Sequence, residues 1–202
     1  MMVGLTIALT FVTLIGTFVW QQLDTAHNIE DHDRIYTLGY QTGEFARVGL
    51  YLGAADEIRD NMLGWDITDY GLGDFDKVGF SMITIRNGKR AMKDKYPKVY
   101  AEKLLYLKEG QYAPNHFHWF KTEDIINRGG GNVLIRVYNS LPNEEIDYKS
   151  DVTVHTDGRT YTVPAGSQIR LTPGESIHVQ QFLYHDFAVE EGSGPVLLGE
   201  VS

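Results

Sequence analysis

HFHWFKTEDIINRGGGN, residues 116–132, is the stretch from which the rest of the chain is best read. His116 and His118 are two apart, and on a β-strand residues i and i+2 point to the same face. Both imidazoles then look to one side. Glu123 follows five residues after His118, close enough to return to the same site across a bend. His185 lies far along the chain, in a second strand region bounded by turns. Three neutral imidazoles and one carboxylate make a mixed nitrogen–oxygen ligand set. Such a set suits Mn, Fe, Co, Ni or Zn, with positions left for water or substrate. A lone His-x-His is more often a pair of surface or core histidines, so the four residues carry weight only as a set. Gly129, Gly130 and Gly131 read as a tight strand connection; no helix start follows them, which argues against a phosphate cradle.

Working outward, the pattern on both sides is that of strands. FSMITIR (80–86) alternates, and so does VLIRVY (133–138), with Val133, Ile135 and Val137 on one face. DVTVHTDGRTYTV (151–163) predicts a hairpin turning at Asp157-Gly158, a pair suited to the positive φ angles of a type I′ turn. QIRL (168–171), IHVQQ (177–181) and VLLGEV (196–201) follow, separated by turn signals such as Pro173-Gly174. Many short strands at this spacing predict a sandwich or barrel. Upstream, AADEIRDNML (54–63) reads as a short helix, and residues 21–50 are polar and irregular.

Composition narrows the function classes. The chain has 202 residues, 43% of them apolar, which suits one domain with a real core. A net charge of −9 argues against a general affinity for nucleic acid or anionic membrane. With no cysteine, disulfides, thiolate catalysis and zinc–thiolate sites are excluded, and any metal must be held by His, Asp or Glu. The basic residues of 86–98 read as a solvated loop, since no phosphate-cradling glycine loop accompanies them. Residues 1–20 carry no charge and approach the length of a spanning helix. Yet the first basic residue is Arg34, so neither a signal-peptide n-region nor a topology signal is present. Thr6, Thr10, Thr13 and Thr17 recur at helical spacing. A packed helix, a membrane or export segment and a misplaced translation start all fit this stretch.

The spacing of the four candidate ligands resembles the two motifs of the cupin superfamily. The first motif runs Gly110, five residues, His116-x-His118, four residues, Glu123, six residues, Gly130, with every family spacing kept. The second runs Gly174, ten residues, His185. It departs from the family at Gln180 and Phe182, where cupins usually have a Pro and a Gly that tighten the turn presenting the histidine. The resemblance implies a mainly β fold, the cupin double-stranded β-helix barrel of jelly-roll type, with a small helical N-terminal appendage. It also implies that His116, His118, Glu123 and His185 are the metal ligands. The expected organisation is an apolar segment over 1–20, an extension over 21–79 packing on the barrel, and the barrel over 80–202.

A closer resemblance is to the D-lyxose isomerases, the sugar-isomerising cupins. It is carried by GWDITDYGLGDF (64–75), YPKVYAEKLLYL (96–107), the stretch 116–132, AGSQIRLTPGESI (165–177) and LLGEVS (197–202), with YQTGEFARVG (40–49) as a weaker echo. It implies interconversion of D-lyxose and D-xylulose, and of D-mannose and D-fructose, through a cis-enediol. It further implies Mn²⁺, although the ligand set also accepts Co²⁺, Fe²⁺ or Zn²⁺. A small sugar is the expected partner, with a homodimer in the cytoplasm; residues 1–20 keep membrane tethering or export as the alternative.

Lys103 matches a family lysine of the pocket; its bland counterpart is a salt-bridged surface lysine. Glu200 stands in the apolar run VLLGEV, where a carboxylate is costly to bury unless paired or functional. It is the candidate proton shuttle, against a plain carboxylate at the barrel mouth. Trp65 and Trp119 read as core aromatics before sugar platforms. His27, His32, His155 and His178 are read as bystanders. Family members continue past the motif GEVS with a further segment that closes over the pocket. Two alternatives therefore stand beside the isomerase: a non-catalytic or truncated sugar-binding cupin, and another metal-dependent cupin enzyme such as an oxygenase.

Overall fold

The computed structural model describes residues 56–202. Every described residue lies in one compact unit. The stretches 1–20 and 21–50 thus fall outside the described residues. Of the helix expected over 54–63, one short element is described, α1 (Asp56–Asn61). No helix among the described residues is long and apolar enough to cross a membrane.

The rest is strand. In chain order these are β1 (Gly64–Thr68), β2 (Phe80–Asn87), β3 (Ala101–Leu107), β4 (Tyr112–His116), β5 (Glu123–Gly130), β6 (Val133–Ser140) and β7 (Ile146–Asp147). Then come β8 (Val152–Thr156), β9 (Arg159–Val163), β10 (Gln168–Leu171), β11 (Ser176–Val179), β12 (Leu183–Val189) and β13 (Val196–Val201). They form an eight-stranded sheet of order β1-β2-β3-β13-β5-β11-β8-β9 and a five-stranded sheet of order β10-β6-β12-β4, with β7 added on β6. Neighbouring strands pair antiparallel, and sequence-distant strands lie side by side, the mainly β jelly-roll arrangement expected from the sequence.

The expected alternation holds where it was clearest. Val133, Ile135 and Val137 of β6 are fully buried, and Arg136 between them is exposed. They share one core with Leu105, Leu107, Ile125 and Leu198 of the other sheet. A buried isoleucine such as Ile135 is worth about 2–5 kcal/mol against alanine here. The hairpin β8–β9 turns on Asp157 and Gly158, at φ +48° and +75°, as a type I′ turn requires. A Cβ on Gly130 or Gly131 would collide with the carbonyls of Pro195 or Gly194, so the glycine run is the close strand connection anticipated.

Two features were not anticipated. Residues 64–68 form β1, an edge strand of the larger sheet in register with β2 (Trp65 opposite Ile83, Thr68 opposite Phe80). And β4 ends at His116, leaving His118 just past the strand. The Phe182 amide, donating to the His118 carbonyl at 3.0 Å, holds that residue in line.

Candidate active site

The register of β12 on β4 puts His185 directly opposite His116. Glu123 opens β5 on the facing sheet, and His118 comes from the connection between β4 and β5. One ligand atom from each of His116, His118, Glu123 and His185 can be chosen so that all lie within 4.8 Å of one another. The His116 ring centre is 4.3 Å from that of His185 and 4.9 Å from that of His118. Glu123 Oε1 lies 2.9 Å from His185 Nε2, and its Oε2 lies 3.3 Å from His118 Nε2.

Hydrogen bonding fixes how the rings present themselves. His116 Nδ1 sits 2.7 Å from the Pro114 carbonyl, and His185 Nδ1 sits 3.1 Å from that of Leu183. A carbonyl only accepts, so each Nδ1 carries the proton and each Nε2 is left with its lone pair. The Nε2 atoms of His118 and His185 are buried and make no hydrogen bond of proper geometry, although Glu123 is beside both. Converging acceptor lone pairs without donors are costly unless a cation lies between them. The donor set therefore fits a divalent ion, and the carbonyls behind the imidazoles are the usual outer support for such ligands.

The charges agree with that fit. Burial, then the neighbouring His185 and His118, push the His116 imidazole down to about 4, so it is neutral at pH 7. Burial alone would raise the Glu123 carboxyl, but the adjacent His118 and His185 and the Lys121 ammonium outweigh it and hold the group ionised.

Beside this cluster stands a second one. Glu200 of β13 lies opposite Lys103 of β3, and Lys103 Nζ is 2.9 Å from its Oε1. Lys121 Nζ bridges the two clusters, 2.6 Å from Glu123 Oε2 and 3.0 Å from Glu200 Oε1. Burial and the nearby Glu123 act to raise the Glu200 carboxyl, yet Lys103 and Lys121 keep it below its ordinary value. The structure thus brings all six anticipated residues into one contiguous cluster.

Comparison with known proteins is decisive for the family. A D-lyxose isomerase family model matches residues 40–202. The chain belongs to the D-lyxose isomerase family. It is 43% identical over 183 residues to the D-lyxose/D-mannose isomerase of Escherichia coli O157:H7, an alignment covering 91% of this chain and 68% of that protein. It is 48% identical over 146 residues to the D-lyxose/D-mannose isomerase of Serratia proteamaculans, covering 72% and 63%. The chain thus spans about two thirds of the length of these curated relatives. Among solved structures, the Acinetobacter sp. DL28 L-ribose isomerase in complex with L-ribose aligns over 78% of each chain, with 14% identity and a TM-score of 0.45.

Beside this cluster, two residues escaped sequence reasoning. Lys121 is one; its place two residues before Glu123 was the available signal, since i and i+2 share a face. Tyr70 is the other, its ring centre 6.3 Å from that of His116. Partial burial, then the charges of Glu200 and Glu123, push its hydroxyl pKa upward, so it stays a neutral donor. Trp119 differs from the core role expected of it. It is 49% exposed, stacked edge-on with Phe117 and donating through Nε1 to Glu144. His155 and His178 lie away from the pocket, on Thr160 and Asp124 respectively.

Phe182 accounts for the altered second motif. It adopts φ +61°, the left-handed conformation that a glycine would supply at that point. A bulky residue there is strained. The hydrogen bond from its amide to the His118 carbonyl and its stacking on Phe117, with ring centres 5.8 Å apart, hold it in place.

Proposed function

We propose that the chain is a metal-dependent aldose–ketose isomerase that interconverts D-lyxose and D-xylulose, and D-mannose and D-fructose. His116, His118, Glu123 and His185 would hold the metal, with Mn²⁺ as the ion. The observation that carries the reading is the Lys121 ammonium, which spans Glu123 and Glu200 and so keeps an ionised carboxylate beside the ligand cluster. The names of the curated relatives support the sugars. The same reading includes a homodimer working in the cytoplasm.

A divalent ion in this cluster would polarise the sugar carbonyl and stabilise negative charge on its oxygens. The remaining work falls to the chain. Glu200 takes the proton from C2 of the open-chain aldose, and the electron pair left behind forms the C1–C2 double bond as the C1 carbonyl opens. The hydroxyl proton passes from O2 to O1, and Glu200 returns its proton to C1, leaving a ketone at C2. Lys103 and Lys121 keep Glu200 ionised before the transfer and donate to sugar oxygens. Because Lys121 also contacts Glu123, it ties the position of the base to that of the ligands.

The test is conversion of D-lyxose to D-xylulose by the purified chain, stripped with chelator and resupplied with Mn²⁺. Turnover restored by the metal is the expected result. Stoichiometric metal uptake with no turnover would overturn the isomerase reading in favour of a sugar-binding cupin. Oxygen consumption with Fe²⁺ would point to an oxygenase instead.

A further inference from the structure

We infer that Tyr70 is a substrate-contacting residue whose hydroxyl donates a hydrogen bond to a sugar hydroxyl beyond C2, while its ring roofs the pocket over His116. The inference rests on the sugar-isomerase reading above and adds to it a residue that sets affinity for the substrate.

The placement of Tyr70 is built in several layers. It sits in the turn after β1, at φ +58°. That left-handed conformation is uncommon for a bulky residue, and such strain gathers at sites where a side chain is aimed for a purpose. Asp69 fastens the turn: its Oδ1 accepts from the Gly71 amide and its Oδ2 from the Gly73 amide, each at 2.8 Å. The Tyr70 amide donates to Thr68 Oγ1 at 3.1 Å. The turn is also anchored to the strands of the site. Thr68 pairs with Phe80 of β2, and a Cβ on Gly79 would collide with the Thr68 carbonyl. The Gly79 amide donates to the Tyr112 carbonyl at 2.8 Å, on the strand that ends in His116.

The ring is gripped on one side and open on the other. It meets buried Phe80 edge-on at 6.0 Å and His116 at 6.3 Å, yet Tyr70 remains 40% exposed. Its hydroxyl is within electrostatic reach of Glu200 and Glu123 but makes no hydrogen bond among the described residues. A hydroxyl with no partner among the described residues, on a ring beside His116 and still partly exposed, fits the oxygens of a polyol. A purely structural tyrosine in a turn needs neither the strained backbone nor the approach to His116.

The test uses Tyr70→Phe in the full chain loaded with Mn²⁺, with a pentitol that cannot isomerise as the probe. Calorimetry should show unchanged Mn²⁺ stoichiometry and pentitol binding weakened roughly three- to tenfold, the worth of one hydrogen bond to a neutral partner. KM for D-lyxose should rise by the same factor while kcat stays within about twofold, the pattern of lost uniform binding. Wild-type pentitol affinity in Tyr70→Phe would overturn the inference, as would a wild-type protein that binds no pentitol. If the wild type binds pentitol without isomerising lyxose, the isomerase reading fails, while weaker binding by the variant still upholds Tyr70. Tyr70→Gly, which relaxes the backbone, separates aim from architecture. Weaker pentitol binding with the melting temperature held is expected; a fallen melting temperature with binding intact would make Tyr70 merely structural.

Discussion

Of the two walls of the pocket, the five-stranded sheet contributes imidazoles, His116 from β4 and His185 from β12. The eight-stranded sheet contributes charge, Glu123 from β5, Lys103 from β3 and Glu200 from β13. The first wall offers neutral lone pairs, held in one tautomer by backbone carbonyls. The second is balanced within itself, because Lys103 and Lys121 offset Glu123 and Glu200. A divalent cation between the walls would leave a net positive charge where the proposed reaction would form an enediolate. The difference suggests a division of labour, in which the five-stranded wall gives two imidazoles to the ion, while the eight-stranded wall gives one carboxylate, Glu123, and keeps Lys103 and Glu200 for the protons.

That division is broken most severely by His118→Ala. It removes one of three imidazoles without emptying the core, since His118 lies past the end of β4. Both Mn²⁺ uptake, measured by equilibrium dialysis, and turnover should be lost. On the other wall, Glu200→Gln should keep stoichiometric Mn²⁺ and lower kcat by about 10²–10⁴, the worth of a positioned base. Lys103→Ala should also keep the metal and cost roughly 10–10² in turnover, since a hydrogen bond to a charged group is lost. A Glu200→Gln enzyme with normal kcat would move the base elsewhere; a Lys103 variant without metal would join the two walls into one unit.

The walls should also answer differently to acid. His116 titrates lower in the folded chain than the ordinary 6.5, at about 4. Its contribution to stability is present above pH 6.5 and is lost as the pH falls from there to about 4, because the unfolded chain then binds the extra proton. For the chelator-treated protein the loss is on the order of 3 kcal/mol. Denaturant unfolding between pH 7 and 4 would measure it. Mn²⁺ should shift the decline to lower pH by competing with protons for the imidazoles. Glu200, which Lys103 and Lys121 hold below its ordinary value, should take up its proton at lower pH than a free glutamate does.

The uneven legibility of the pocket has a physical cause. His116, His118 and Glu123 sit within eight residues of chain, so local periodicity suffices to align them. Strands β2, β6 and β8 to β11 could be read because their inward residues are apolar or their turns carry strong signals. Strands β3, β4, β5 and β12 read less clearly because they turn Lys103, His116, Glu123 and His185 inward. Local pattern fails on these four strands, whereas β13 stayed legible because Glu200 stands in an otherwise apolar run. Lys121 had a local signal in its spacing from Glu123. Tyr70 had none, because its approach to His116 depends on the pairing of β1 with β2 and of residues 77–79 with β4. The pairing of Asp124 with His178 is likewise a product of the β5–β11 register.

The smallest expected effect concerns the second motif, where a phenylalanine occupies the left-handed position. Phe182→Gly removes a backbone strain of about 1–2 kcal/mol. It also gives up stacking on Phe117, which is worth about 0.5–1.5 kcal/mol for a buried pair. Phe182 is 45% exposed, so the stacking is discounted and relief of strain should prevail slightly. The glycine variant should therefore be as stable as the parent or more stable, by up to about 1 kcal/mol. Phe182→Ala keeps the strain and loses the ring, so it should be less stable than the parent by about 1 kcal/mol. The two variants remove the same ring, and only the glycine relaxes the backbone. Denaturant midpoints that rank glycine above alanine would locate the cost in the backbone at Phe182. Equal midpoints would mean that the turn presenting His185 bears no strain, and that the departure from the family motif is neutral.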